Sequence, residues 1–125
     1  MATDLTVGLT NRPGTLAQAS DALGRAGVNI EGATGYVCNG QGVYHVLVTD
    51  VERARRALID AGFTLEAERA VVLAPVEDVP GAAARLLRRV AEAGVTVDLL
   101  YLAIDGRLVL GGDDVVAIRR ALEGA

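Results

Sequence analysis

The sequence predicts an α+β fold built from two copies of one β-α-β-β-α unit, and three observations carry that reading. Pro13, Gly14, Ala26, Gly27 and Val28 recur 67 residues later as Pro80, Gly81, Ala93, Gly94 and Val95, which marks an internal duplication. Further on the offset becomes 64, aligning Gly42 with Gly106, Asp50 with Asp114, and Arg55 to Leu58 with Arg119 to Leu122. Each copy also shows the same succession of apolar runs of strand type and segments with helical periodicity, punctuated by glycine-containing turns.

The elements follow in order. Strand signals cover Leu5 to Thr10, Asn29 to Cys38 and Val43 to Val48, with Asn39, Gly40, Gln41 and Gly42 as a turn. Asn11 is placed to cap a helix from Gly14 to Ala26, with Pro13 in its first turn, where a missing N–H costs nothing. Leu16, Ala19, Leu23 and Ala26 mark one face of that helix, and Gly27 ends it. A second helix runs from Val51 to Ala61; Thr49 and Glu52 have capping-box spacing, and Asp50 competes as the cap. The second copy repeats the plan with a strand ending near Val76, a helix from Gly81 to Ala93, a hairpin over Val97 to Leu110 turning at Asp105 and Gly106, and a helix from Asp114 to Leu122.

This is the split βαβ, or ferredoxin-like, order, and right-handed crossovers put both helices of a unit on one sheet face. Boundaries fall at 1–67 and 68–125. The second copy has no residues for its own closing strand, while Phe63 to Val76 can hold two short strands or one long shared one. No Pro-rich or Gly/Ser-rich linker separates the copies, so they are expected to pack together. Both phases of Val43 to Val48 and of Leu99 to Ile104 are apolar, which implies that the sheet face away from the helices is also covered. That face would lie against a sheet from the second copy or from another chain, and a homodimer is the expected outcome.

Composition bounds the function. Half of the 125 residues are hydrophobic, with one Phe, three Tyr and no Trp, so the core is aliphatic. A formal charge of −4 argues against a general nucleic-acid or anionic-membrane surface. A single cysteine, Cys38, excludes an intrachain disulfide and reads as a small packed thiol. The first residues lack a signal-peptide pattern, and no apolar run approaches the roughly 20 residues that span a bilayer; a cytoplasmic protein is expected.

Asn11 and Asn29 flank the first helix and are placed to approach each other at one sheet edge. His45, within an apolar strand, reads as a sheet-face or interface residue. The arginines at 53, 55, 56, 85, 88 and 89 lie mostly on outer helix faces with Glu52, Asp60 and Glu92, as a solvated surface would. There is no paired nucleophile and base, no cluster with metal-ligand spacing and no phosphate-cradling loop.

The stretches N-R-P-G-T-L (Asn11 to Leu16) and A-G-V-N-I-E (Ala26 to Glu31), with E-D-V-P-G-A (Glu77 to Ala82) and A-G-V-T-V-D (Ala93 to Asp98), resemble the ACT domain family. These are small regulatory modules that typically bind amino acids or related metabolites. The resemblance covers nearly the whole chain and implies a stand-alone tandem ACT protein without a catalytic domain. It further implies a ligand site at the turn from first strand to first helix, completed by the start of the second strand of a neighbouring ACT unit.

Carried over residue by residue, that site comprises Asn11, Arg12, Gly14, Thr15, Leu16, Asn29 and Ile30. A weaker counterpart comprises Asp78, Gly81, Thr96 and Val97, where Asp78 and Thr96 replace the two asparagines. A helix start near Gly14 offers N–H groups to an anion. Asn11 and Asn29 can each donate and accept without burying a net charge. Each is equally explained by local structure, Asn11 as a cap and Asn29 as a turn residue. The expected function is a non-catalytic regulator that binds an amino acid or related metabolite, needs no cofactor or metal, and signals to an amino-acid metabolic enzyme. The alternative is a subunit that dimerises or binds an enzyme without any small ligand.

Overall fold

The computed structural model describes residues 2–124. It contains seven strands and four helices and divides between Arg69 and Ala70 into two compact units. The first unit runs β1 (Thr3–Thr10), α1 (Thr15–Arg25), β2 (Gly32–Cys38), β3 (Gln41–Val48), α2 (Val51–Asp60) and β4 (Thr64–Ala70). The second runs β5 (Val72–Pro75), α3 (Ala82–Glu92), β6 (Leu99–Ala103), β7 (Arg107–Gly111) and α4 (Val115–Leu122). The span from Phe63 to Val76 thus holds two strands, broken at Val71.

In the first unit the strands lie in the order β4-β1-β3-β2. β3 is antiparallel to both neighbours, pairing Thr3 with Val48, Thr10 with Gln41, and Gly32 with Leu47. In the second the order is β5-β7-β6, again antiparallel, with Val72 opposite Leu110 and Leu99 opposite Gly111. Among the described residues the second unit has no fourth strand.

Alternation along each strand decides what is buried where. Leu5, Val7 and Leu9 of β1 share one core with Val46 and Val48 of β3, Ala19 and Leu23 of α1, and Ala54 and Leu58 of α2. Both helices therefore cover the same face, and each fully buried aliphatic side chain contributes about 1.5–3 kcal/mol. Ala74, Val90, Leu108, Leu110 and Ile118 form the equivalent core of the second unit. The opposite faces are closed too: Asp4, Thr6, His45 and Leu47 in the first unit, and Leu99, Tyr101 and Val109 in the second, are all buried. These positions are withdrawn from water in the single chain.

Helix starts differ from the sequence expectation in an instructive way. Asn11 does not cap α1; Gly14, at φ 92° in the left-handed region, takes the N-cap position, and no side chain caps the helix. Gly81 does the same for α3 at φ 86°. At α2 the competition is won by Asp50, whose carboxylate accepts from Arg53 N at 3.2 Å, and Asp114 caps α4 by accepting from Ala117 N at 3.0 Å.

The first hairpin turns on two residues, Asn39 and Gly40, both with positive φ, while Gln41 and Gly42 belong to β3. In the second hairpin Asp105 and Gly106 also have positive φ. Its ladder closes at Ala103 and Arg107, leaving three residues outside instead of two. Cys38, expected to be packed, is exposed beside the first turn. No helix of the described chain is long and apolar enough to cross a membrane.

Candidate ligand-binding site

The turn from β1 to α1 is held by its own backbone and by one side chain. Arg12 N donates to Thr10 O at 2.9 Å. The hydroxyl of the buried Thr15 donates to Thr10 O at 2.9 Å and to Arg12 O at 3.2 Å. Thr15, not Asn11, therefore ties the turn, and the αL conformation of Gly14 lets the chain enter the helix directly afterwards. Asn11 and Arg12 are left exposed, and neither side chain has a hydrogen-bond or ion-pair partner among the described residues.

These residues open onto a cavity of about 340 Å³ bounded by Asn11 to Leu16, by Gly35, Tyr36 and Val37 of β2, and by Gly42 and Val43 of β3. Leu16, expected on the buried helix face, is half exposed and lines the cavity, as does the equally exposed Val37; the Tyr36 ring shares the opposite sheet face with His45. The strand residues of this cavity escaped the sequence reading because only the β1–β3–β2 register brings them beside the turn.

Chemically the cavity pairs an apolar lining with a guanidinium, an amide and a helix N-terminus free of any side-chain cap, a combination suited to a small anion bearing an apolar group. On the opposite sheet face the Tyr36 ring stacks on that of His45 with centroids 5.9 Å apart, and its hydroxyl lies 3.4 Å from His45 Nε2.

Asn29 and Ile30 are not part of this cavity. β1 and β2 run parallel with β3 between them, so Asn11, next to the Thr10–Gln41 pair, and Asn29, before the Gly32–Leu47 pair, lie at opposite ends of the sheet. Six residues of β3 separate those ends, about 20 Å. The expectation that the two asparagines approach each other within a unit is therefore overturned by strand direction. Ile30 packs against the helix-side core.

The second copy divides in the same manner. Asp78 and Gly81 lie in the turn after β5, whereas Thr96 and Val97 precede β6 at the other end, near the Asp98 N to Gly111 O bond, and Val97 packs against the core. No group of three or more potential metal ligands occurs among the described residues.

Fold and cavity together define a module of two split βαβ units with a pocket at the first strand-to-helix turn. The chain belongs to the ACT domain family: the family model of an ACT domain pair matches residues 1–121. Among solved structures it is similar to the protein BT0572 from Bacteroides thetaiotaomicron, with 24% identity and a TM-score of 0.84 over 96% of this chain and 85% of that one. It is also similar to the regulatory subunit of aspartate kinase from Thermus thermophilus in its ligand-free form, with 20% identity and a TM-score of 0.69 over 97% and 89%. The corresponding subunit from Thermus flavus shows 16% identity and a TM-score of 0.69 over 97% and 90%. No protein of curated function matches the sequence.

Proposed function

We infer that this ACT pair is a non-catalytic regulator acting in the cytoplasm. It binds an amino acid or a closely related metabolite at the Asn11–Leu16 turn and signals that state to an amino-acid metabolic enzyme. The observation that carries the reading is the cavity of about 340 Å³ in which Asn11 and Arg12, both without side-chain partners among the described residues, stand beside the start of α1, which no side chain caps. A carboxylate is the ligand group that answers Arg12 and the helix N–H groups together, while Leu16 and Val37 receive its apolar part. The likeness in fold to aspartate kinase regulatory subunits supports an enzyme of amino-acid metabolism as the recipient of the signal.

The turn is half of a site. Asn29 and Ile30, at the far end of the same sheet, are the other half, offered to a neighbouring ACT unit in a homodimer. Under this reading one or more of the 20 amino acids raises the melting temperature, since a ligand present at 100 times its Kd stabilises the folded state by about 2.7 kcal/mol. Asn11→Ala removes the stabilisation attached to this pocket. A full panel without any shift refutes the ligand, and a monomer mass by light scattering at micromolar concentration refutes the dimer. A dimer that ignores every amino acid would favour the alternative of a subunit without a small ligand, for which the exposed Leu100, Leu102 and Ile104 offer an apolar contact surface.

A further inference from the structure

The two units differ at one sheet edge. In the first, β4 lies along β1, and its Leu65, with the preceding Phe63, packs against the core. Glu68 of β4 takes a two-pronged pair from Arg55 of α2, Nε to Oε2 at 2.5 Å and Nη2 to Oε1 at 2.7 Å. In the second, β5 stands where β1 does, and among the described residues no strand pairs on the side of β5 away from β7.

The correspondence is fixed by the internal repeat. An offset of 67 sets Val72, Ala74 and Val76 on Leu5, Val7 and Leu9, and both sets belong to the helix-side cores. An offset of 64 sets Arg119 and Leu122 on Arg55 and Leu58, counted from Asp50 and Asp114, which cap α2 and α4 in the same way. Leu5 and Leu58 are fully buried, whereas Val72 and Leu122 stay partly exposed. Arg55 is partly buried on its carboxylate; Arg119 is exposed, and its side chain has no hydrogen-bond or ion-pair partner among the described residues.

Apolar side chains left in water and a guanidinium left without a carboxylate are answered by one addition, a strand with the chemistry of β4. An open strand edge offers unpaired N–H and C=O groups to such a segment. One position has to differ. The carboxylate of Glu66 occupies the space beside Gly8 where a Cβ would stand, and the counterpart of Gly8 is Pro75, which has a Cβ of its own. The added strand therefore carries a small residue in place of Glu66. Pro75 also gives no N–H, which leaves Val72 to Ala74 to pair.

We propose that the outer edge of β5 is a docking site for an extended segment of a partner protein. That segment carries two apolar residues spaced as Phe63 and Leu65 are, a small residue next, and a carboxylate three positions after the second apolar one. The carboxylate pairs with Arg119, and the apolar residues cover Val72 and Leu122. The docking is independent of whether the Asn11 pocket takes a ligand.

The probe is a synthetic peptide with the sequence of residues 62–70 of this chain carrying Glu66→Ala, added to the isotope-labelled full chain and followed by nuclear magnetic resonance. It binds, and the amide resonances of Val72, Leu73 and Ala74 shift while those of β1 stay in place. Arg119→Glu weakens binding tenfold or more with the circular dichroism unchanged, because it sets two like charges opposite each other. On that variant, a peptide that also carries Glu68→Arg restores the affinity. The peptide that keeps Glu66 binds at least fivefold more weakly than the one with alanine there. Absence of binding, binding that Arg119→Glu leaves unchanged, or shifts confined to β1 and β4 overturns the proposal. A dimer that protects the β5 amides from hydrogen exchange without peptide, and loses that protection on dilution, would place a second copy on this edge and overturns it too.

Discussion

His45 Nδ1 and Asp4 Oδ2 lie 2.8 Å apart on the face of the first sheet that carries no helices, and Asp4 is fully buried. Thr6 Oγ1 joins them, 3.4 Å from the same carboxylate oxygen and 3.3 Å from His45 Nδ1. The imidazole also stacks on the ring of Tyr36, whose hydroxyl lies 3.4 Å from Nε2. A buried polar group is tolerated only when it is hydrogen-bonded, so the residues of this cluster depend on one another.

Removing Asp4 therefore takes away the carboxylate that both His45 Nδ1 and Thr6 Oγ1 contact. Asp4→Ala is expected to cost about 2–4 kcal/mol in urea denaturation. Because both partners belong to one network, Asp4→Ala with His45→Ala should cost less than the two single losses added together, by at least ~1 kcal/mol. Strict additivity would show that the pair is not coupled.

Two glycines of the same segment should respond in opposite directions. Gly14 sits at φ 92° with nothing within 4 Å of where an alanine methyl would stand, so Gly14→Ala meets no steric obstacle and costs only the strain of the left-handed backbone, about 1–2 kcal/mol. Gly24, inside α1 with equally open surroundings and no positive φ, should gain about 0.5–1 kcal/mol as alanine through its higher helix propensity. Thermal denaturation of the two variants side by side checks the contrast, and equal effects would refute the assigned N-cap geometry.

Arg55 ties α2 to the closing strand by a two-pronged pair, with Nε donating to Glu68 Oε2 at 2.5 Å and Nη2 to Oε1 at 2.7 Å. The hydrogen bonds from Arg55 hold the Glu68 carboxyl below its ordinary value of 4.5. A lowered carboxylate pKa gives stability that is complete above the unfolded value and disappears as pH falls through the folded one. Glu68→Gln should thus lower the melting temperature at pH 7 by a small amount, since the pair faces solvent. The difference from the parent should shrink progressively below about pH 4.5. A difference that persists at pH 2 would mean that Glu68 acts through packing instead.

Much of this architecture was legible from local chemistry. The duplicated Pro-Gly and Ala-Gly-Val segments gave the two units their register, and glycines at 14 and 81 marked the start of each first helix because a left-handed residue is needed there. The caps Asp50 and Asp114 act within three residues of themselves. Local signals misled at Asn11, where a favourable capping residue stands three positions too early: the intervening turn hands the capping position to Gly14 and the bonding to Thr15.

The sequence by itself thus determined the elements, their order and the ACT relationship, since all three depend on residues close to one another along the chain. Only the tertiary structure decided that Asn11 and Asn29 stand at opposite ends of a sheet, because β3, inserted between two parallel strands, sets their separation. It alone brought Asp4 to His45 across 41 positions of sequence and placed Val37 beside the turn. Such meetings follow from strand direction and register, which no single segment of the chain encodes.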